Sequence, residues 1–184
     1  MGSRLGLHLL GPPRVECDGA PVDLDRRKAL ALLAYLAVTG HPHRRDALVN
    51  LLWPDFDTSR GRAALRRTLY ALRQALPDGC LDADRDEIGL NPEIGLWLDV
   101  DQFRQHLAEC EAHGHPVAQP CPACVELLTA AVALVQGEFL SGFGLKDAFN
   151  FDDWQLFQAE ELRQALSGAL ERLARWHASQ REFE

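Results

Sequence analysis

Leucines recur at positions 65, 69, 72 and 76, at spacings of four, three and four. That period commits the segment to a helix with a single apolar stripe, and the stripe has to be buried against other elements. Between the leucines stand Arg66, Arg67, Tyr70, Arg73 and Gln74, with Arg60 and Arg62 just before them, and no acid occurs from Arg60 to Leu76. Pairing of opposite charges at i,i+4, the usual support of a charged helix face, is therefore absent within the segment. Any fold must hold the leucines beneath and turn a continuous cationic face outward.

The rest of the chain sets this face in contrast. The 184 residues carry a formal net charge of -8, yet residues 1–76 hold 12 Lys+Arg against 7 Asp+Glu, and residues 77–184 hold 7 against 20. A basic first part suited to a polyanion thus precedes an acidic second part that is not. With 47% apolar and 25% charged residues the chain can bury a core. No apolar run reaches the ~20 residues of a membrane span, and the N-terminus does not read as a signal peptide. Five cysteines, an odd number, point to a reducing cytoplasm rather than a disulfide framework.

Leu5, Leu7 and Leu9 alternate as in a strand, and Asp18-Gly19 signals a hairpin, so a small antiparallel sheet is expected first. A helix follows from a cap at Asp25 to a stop at Gly40, and a second runs from Arg44 to before Pro54. Asp57-Thr58-Ser59 offers the cap of the third, arginine-rich helix, which Pro77-Asp78-Gly79 ends. LDADRDEIGL, residues 81–90, reads as a hairpin, with Leu96–Asp99 a further extended piece. From Asp99 onward the period is helical: one helix around Val100, Phe103, Leu107 and Cys110, another from Cys124 towards Gly142, and a long amphipathic one after a loop.

Sheet, three helices, hairpin is the plan of a winged helix-turn-helix, whose recognition helix enters the major groove of double-stranded DNA. The expected class is therefore α+β, with residues 1–100 a DNA-binding domain and residues 101–184 a helical module. Arginine serves such a helix as a fork for guanine edges and as a partner for phosphates. The candidate DNA contacts are Arg66, Arg67, Tyr70, Arg73 and Gln74 on the outward face, and Arg60 and Arg62 in the first turn. Arg44 and Arg45 open the second helix and Arg85 tips the hairpin. The competing reading is a solvated helix face.

The run RRDALVNLLWPDFDTSRGRAALRRTLYALRQAL resembles the signature of regulators that join a response-regulator-type winged helix to a bacterial transcriptional activation domain, as in antibiotic regulatory proteins. Arg44-Arg45-Asp46, Leu51-Leu52-Trp53-Pro54 and Leu72-Arg73-Gln74-Ala75-Leu76 carry the likeness. GEFLSGF and the long helix after it resemble the start of the activation domain, which is built of tetratricopeptide-like helix pairs. The resemblance implies DNA binding, possible homodimerisation on DNA, contact with RNA polymerase or with further domains, and an activation domain that continues past Glu184. One departure stands out. The hairpin carries Asp82, Asp84, Asp86 and Glu87 around Arg85, and four carboxylates would repel a phosphate backbone. Either the wing stands away from DNA or it serves protein contacts, which keeps open a scaffold module that does not bind DNA.

CEAHGHPVAQPCPAC, residues 110–124, is the second informative stretch. Cys110-x2-His113 and Cys121-x2-Cys124 are two pairs spaced for a tetrahedral ion, with His115 a rival to His113 as ligand. A structural zinc there would pin two helices across a Pro- and Gly-containing loop. CPAC at a helix start also has the spacing of a thioredoxin-like redox pair, though no βαβ context surrounds it. The bland alternative is cysteines that pack. No nucleophile motif and no phosphate-binding glycine loop occurs, so no enzyme is expected.

Overall fold

A computed structural model describes residues 4–114, 116 and 120–181. Strand β1 (Arg4–His8) is central to the first sheet because Leu5 and Leu7 point the same way and are fully buried. It pairs antiparallel with β2 (Arg14–Cys17), Leu7 facing Val15, and β3 (Ala20–Pro21) extends the edge. Asp18 and Gly19 both take positive φ, 52° and 81°, the left-handed pair that a two-residue hairpin turn requires. The other side of β1 corrects the expectation of an all-antiparallel sheet. There β7 (Gly95–Leu98) runs parallel, bringing Leu96 opposite Leu5 and Leu98 opposite Leu7. The parallel register places the leucines of both strands in one layer.

Helix α1 (Arg27–Thr39) buries Leu32, Leu33 and Leu36 and stops at Gly40, whose left-handed backbone donates its N–H to Leu36 O. Asp25 does not cap it. Arg26 holds the cap position without a side-chain bond. After β4 (His43–Arg44) come α2 (Arg45–Leu52) and α3 (Thr58–Ala75). Asp57 caps α3 as expected, its Oδ1 accepting the Arg60 N–H at 2.9 Å. Leu65, Leu69, Leu72 and Leu76 all lie in the core. Gly61 is buried where α3 meets α2; a Cβ there would stand 2.3 Å from Val49 Cγ1. The hairpin is β5 (Leu81–Ala83) with β6 (Glu87–Leu90), and β4 joins β6 to make a second sheet of three strands.

Helix α4 (Asp99–Ala112) packs along α5 (Pro122–Leu134), and α6 (Phe149–Arg181) lies against α5 and α2. With 33 residues α6 is about 50 Å long. Helix α5 ends eight residues short of the expected stop near Gly142. From Val135 the chain becomes a strap along the end of β1: Gln136 and Leu140 donate N–H groups to Leu10 O and Leu9 O, and Phe139 bridges Leu10. The apolar residues that suggested more helix, Phe139 and Leu140, are instead buried in the core by this strap.

One large core holds Leu5, Leu32, Leu48, Leu65 and Ile88 together with Phe103, Phe139, Phe151 and Leu162. It therefore runs without a break past residue 100. Asp99 helps join the pieces. Its carboxylate is buried and accepts N–H groups of Leu9, Leu10 and Val100 at 2.7, 2.8 and 2.8 Å. A separate small cluster contains Cys110, Cys124, Leu128 and Ala169.

Candidate functional site

Because the leucine stripe fixes the roll of α3, Arg62, Arg66, Arg67, Tyr70, Arg73 and Gln74 are all exposed. Tyr70, an apolar ring with a polar tip, is 67% exposed. Arg66, Arg67 and Arg73 form no ion pair among the described residues. The long C-terminal helix packs against α2 and α5 and leaves this face uncovered.

The flanking candidates are arranged differently. Arg62 reaches back to α2, its Nε and Nη2 donating to Asp46 at 2.9 to 3.2 Å. The Arg60 guanidinium carbon sits over the Phe56 ring, 3.9 Å from its centroid. Arg45 forks Nε and Nη2 onto the Asp84 carbonyl at 3.0 and 2.7 Å, so it ties the hairpin to α2 rather than facing outward. Arg44 is exposed on β4 opposite Glu87, and Arg85 is exposed at the hairpin tip. A cleft of about 870 Å³ gathers Arg44, Arg62, Arg66 and Arg85, with Asp84, Asp86 and Glu87 on the hairpin side.

The acidic hairpin is partly explained by its own turn. Asp84 Oδ1 accepts the N–H groups of Asp86 and Glu87, both at 2.7 Å. The Glu87 N–H first, then that of Asp86, holds this carboxyl below its ordinary value. Asp84 is thus occupied locally as an Asx turn, while Asp82, Asp86 and Glu87 remain exposed. On the other flank of α3, Arg67 shares a cleft with Arg26, Arg27, Lys28 and Lys146. Lys28 is engaged with Asp147 and Leu52 O, and Arg27 with Gly144 O. Arg26, Arg67 and Lys146 form no ion pair among the described residues and continue the cationic face. Sequence spacing could not find them, because Lys146 comes from the loop before α6.

The cysteine and histidine stretch converges in part. His113 Nδ1 lies 3.3 Å from Cys121 Sγ and 3.2 Å from Cys124 Sγ, and the donor atoms of these three residues all fall within 4.8 Å of one another. Cys110 is buried beside them: Cys124 Sγ donates to Cys110 O at 3.4 Å, and Cys110 Sγ accepts Arg172 Nη2 at 2.7 Å. His115 lies outside the described residues. Burial first, then hydrogen bonds from Cys110 and Cys121, pushes the Cys124 thiol up to about 12. No disulfide joins cysteines among the described residues. Arg172, 62 residues from Cys110, is the member that sequence reading missed; on α6 it looks like any surface arginine.

Other acidic pairs are ordinary surface partners. Glu160 pairs with Arg163 and Glu161 with Arg104. Trp53 is buried, and Trp154 packs against Tyr35, Phe139 and Phe151. Among the described residues no helix is long and apolar enough to cross a membrane.

No protein-family model matches the sequence. Over 80 residues the chain is 35% identical to the transcriptional regulatory protein EmbR of Mycobacterium tuberculosis, and equally to that of Mycobacterium bovis. The match covers 43% of this chain and 21% of the relative, so the chain spans about a fifth of the length of these curated relatives. The structure of Mycobacterium tuberculosis EmbR in complex with a low-affinity phosphopeptide superimposes with a TM-score of 0.68 at 27% identity. That superposition covers 89% of this chain and 44% of the other. The chain is thus similar in sequence and in its mixed α+β structure to a transcriptional regulator.

Proposed function

We propose that the chain is the DNA-binding part, with the adjoining helical module, of a cytoplasmic transcription regulator and not an enzyme. On this reading residues 1–100 act as a winged helix-turn-helix. Helix α3, as the recognition helix, lies in the major groove, and β5–β6 is the wing. The observation that carries it is the outward face of α3: three arginines without acidic partners among the described residues, beside Tyr70 and Gln74, on a helix locked from behind by four buried leucines. Arg66 and Arg67 read bases or phosphates, Arg73 and Gln74 follow the groove wall, and Arg26 and Lys146 extend phosphate contact on one flank. The acidic tip of the wing stands away from the backbone, Arg85 alone reaching towards it.

Helices α4 to α6 are, on the same reading, the start of a tetratricopeptide-like transcriptional activation domain. Leu156 and Phe157, 71% and 68% exposed on α6, suit it to contact with RNA polymerase or with further domains. The likeness to EmbR supports a regulatory role.

Titration of the full chain with duplex DNA tests the reading. Binding should weaken as salt rises, with a slope of about −0.9 per phosphate contacted. The double substitution R66A/R67A should lower affinity at least ~10-fold at low salt, about 1.4 kcal/mol or more. Failure of the parent protein to bind any duplex, or equal binding by the variant, would instead assign the acidic hairpin and helices to protein contacts.

A further inference from the structure

We propose that Cys110, His113, Cys121 and Cys124 form a structural zinc site joining α4 to α5, and that Arg172 on α6 balances its charge. The first support is donor geometry. Zinc–sulfur bonds of about 2.3 Å and zinc–nitrogen bonds of about 2.0 Å put the N···S edge of a tetrahedron at roughly 3.5 Å. The two N···S distances at His113 Nδ1, 3.3 and 3.2 Å, are within a few tenths of that edge. Both sulfurs address the same ring nitrogen. A cation between the three donor atoms would be held by all of them at once.

The second support is Arg172, and it is independent of spacing. Its side chain is in the interior, the residue being 8% exposed. It forms no ion pair among the described residues, and its Nε is buried without a partner. Its Nη2 contact is the Cys110 sulfur at 2.7 Å. Guanidinium does not give up its proton in proteins, so a buried one needs a negative partner. A neutral thiol does not supply that charge. Three thiolates and a neutral imidazole around a divalent ion carry one net negative charge, which a single guanidinium cancels. The N–H···S contact is also the kind of outer bond that orients a thiolate ligand.

Among the described residues only the donor atoms of His113, Cys121 and Cys124 fall within 4.8 Å of one another, so the Cys110 sulfur must close on the ion to serve as the fourth ligand. Cys110 is buried against Cys124, which already contacts its carbonyl, and the N–H bond from Arg172 is compatible with a bound thiolate. The surrounding apolar cluster is small, with Leu128 and Ala169 as its other buried members. A metal would add to the cohesion of this end of the α4–α5–α6 layer. The inference does not depend on DNA binding.

The test uses the full chain, purified anaerobically without chelators. Elemental analysis should find about one zinc per chain, and absorption at the zinc edge should fit three sulfurs at about 2.3 Å and one nitrogen at about 2.0 Å. C110S, C121S and C124S should each lose the metal, and C17S should keep it. R172M should weaken zinc retention against a chelator about 10-fold. Far-UV circular dichroism of each variant separates loss of the site from loss of the fold. Wild-type protein without stoichiometric zinc overturns the proposal, and a Cys121–Cys124 disulfide in that sample would assign a redox pair instead. Loss of zinc in H115A but not in C110S overturns the choice of the fourth ligand.

Discussion

Arg62 Nη2 lies 2.9 Å from Asp46 Oδ1, so one arginine of the cationic helix is neutralised by the helix behind it. Both side chains are about half exposed, and such a pair contributes about 0–1 kcal/mol to stability. Its larger effect is on what Arg62 can offer a polyanion. D46N should release the guanidinium and leave the unfolding midpoint almost unchanged. Duplex affinity should rise several-fold at low salt, with a salt slope steeper by about 0.9 if one phosphate is added. Fluorescence anisotropy across a salt series reads both quantities.

Arg45 has a different task. Its fork onto the Asp84 carbonyl fastens the β5–β6 hairpin to the start of α2. R45A should speed amide hydrogen exchange across residues 81–90 while exchange in α1 stays as it was. The loss of global stability should be about 1 kcal/mol, since each of these bonds is partly exposed.

Gly61 permits α2 and α3 to touch. The methyl of G61A would meet Val49 Cγ1, and valine is stiff at χ1, so the helices must part. G61A should destabilise by about 1–3 kcal/mol despite the better helix propensity of alanine. The double substitution V49A/G61A should recover part of that loss relative to the sum of the single changes. Urea unfolding of the four proteins completes the cycle.

Asp99 ties β1 to α4 through three backbone N–H groups. D99A would leave those donors buried and unpaired, at a cost of about 2–4 kcal/mol. Burial raises the folded-state pKa of this carboxyl, with the Leu10, Leu9 and Val100 N–H groups opposing. The folded state therefore holds its proton more tightly than the unfolded chain. The contribution of this group to stability should fall as pH rises from the ordinary value of 3.8 to the raised one, then stay level. Asparagine has no such titration, so the stability difference between wild type and D99N should change across that window and be constant above it.

Local signals were readable where one element carried them whole. The stripe at Leu65, Leu69, Leu72 and Leu76, the cap at Asp57 and the turn at Asp18-Gly19 each lie within a few residues. What escaped depended on distant segments. The parallel partner of β1 is 91 residues away, and nothing in Gly95–Leu98 distinguishes a parallel from an antiparallel strand. Strand β4 is two residues long and exists because β6 lies beside it. The end of α5 was misplaced because apolar residues serve a buried strap as well as a helix. At the candidate DNA face the outward residues followed from the leucines. The engagement of Arg62, Arg60 and Arg45 with Asp46, Phe56 and Asp84 required three dimensions.

The parallel pairing of β1 also sets an order of events during translation. Strand β2 can join β1 at once, but the partner on the other side lies at residues 95–98, and the strap that closes its end lies at 136–140. At roughly 5–20 residues per second, on the order of 5–20 s pass before β7 has even been synthesised. During that interval the nascent chain carries an unpaired leucine-bearing strand edge, open to non-native neighbours. Premature release of a shorter polypeptide would leave that edge permanently open, so a truncation before residue 95 should aggregate where the full chain does not.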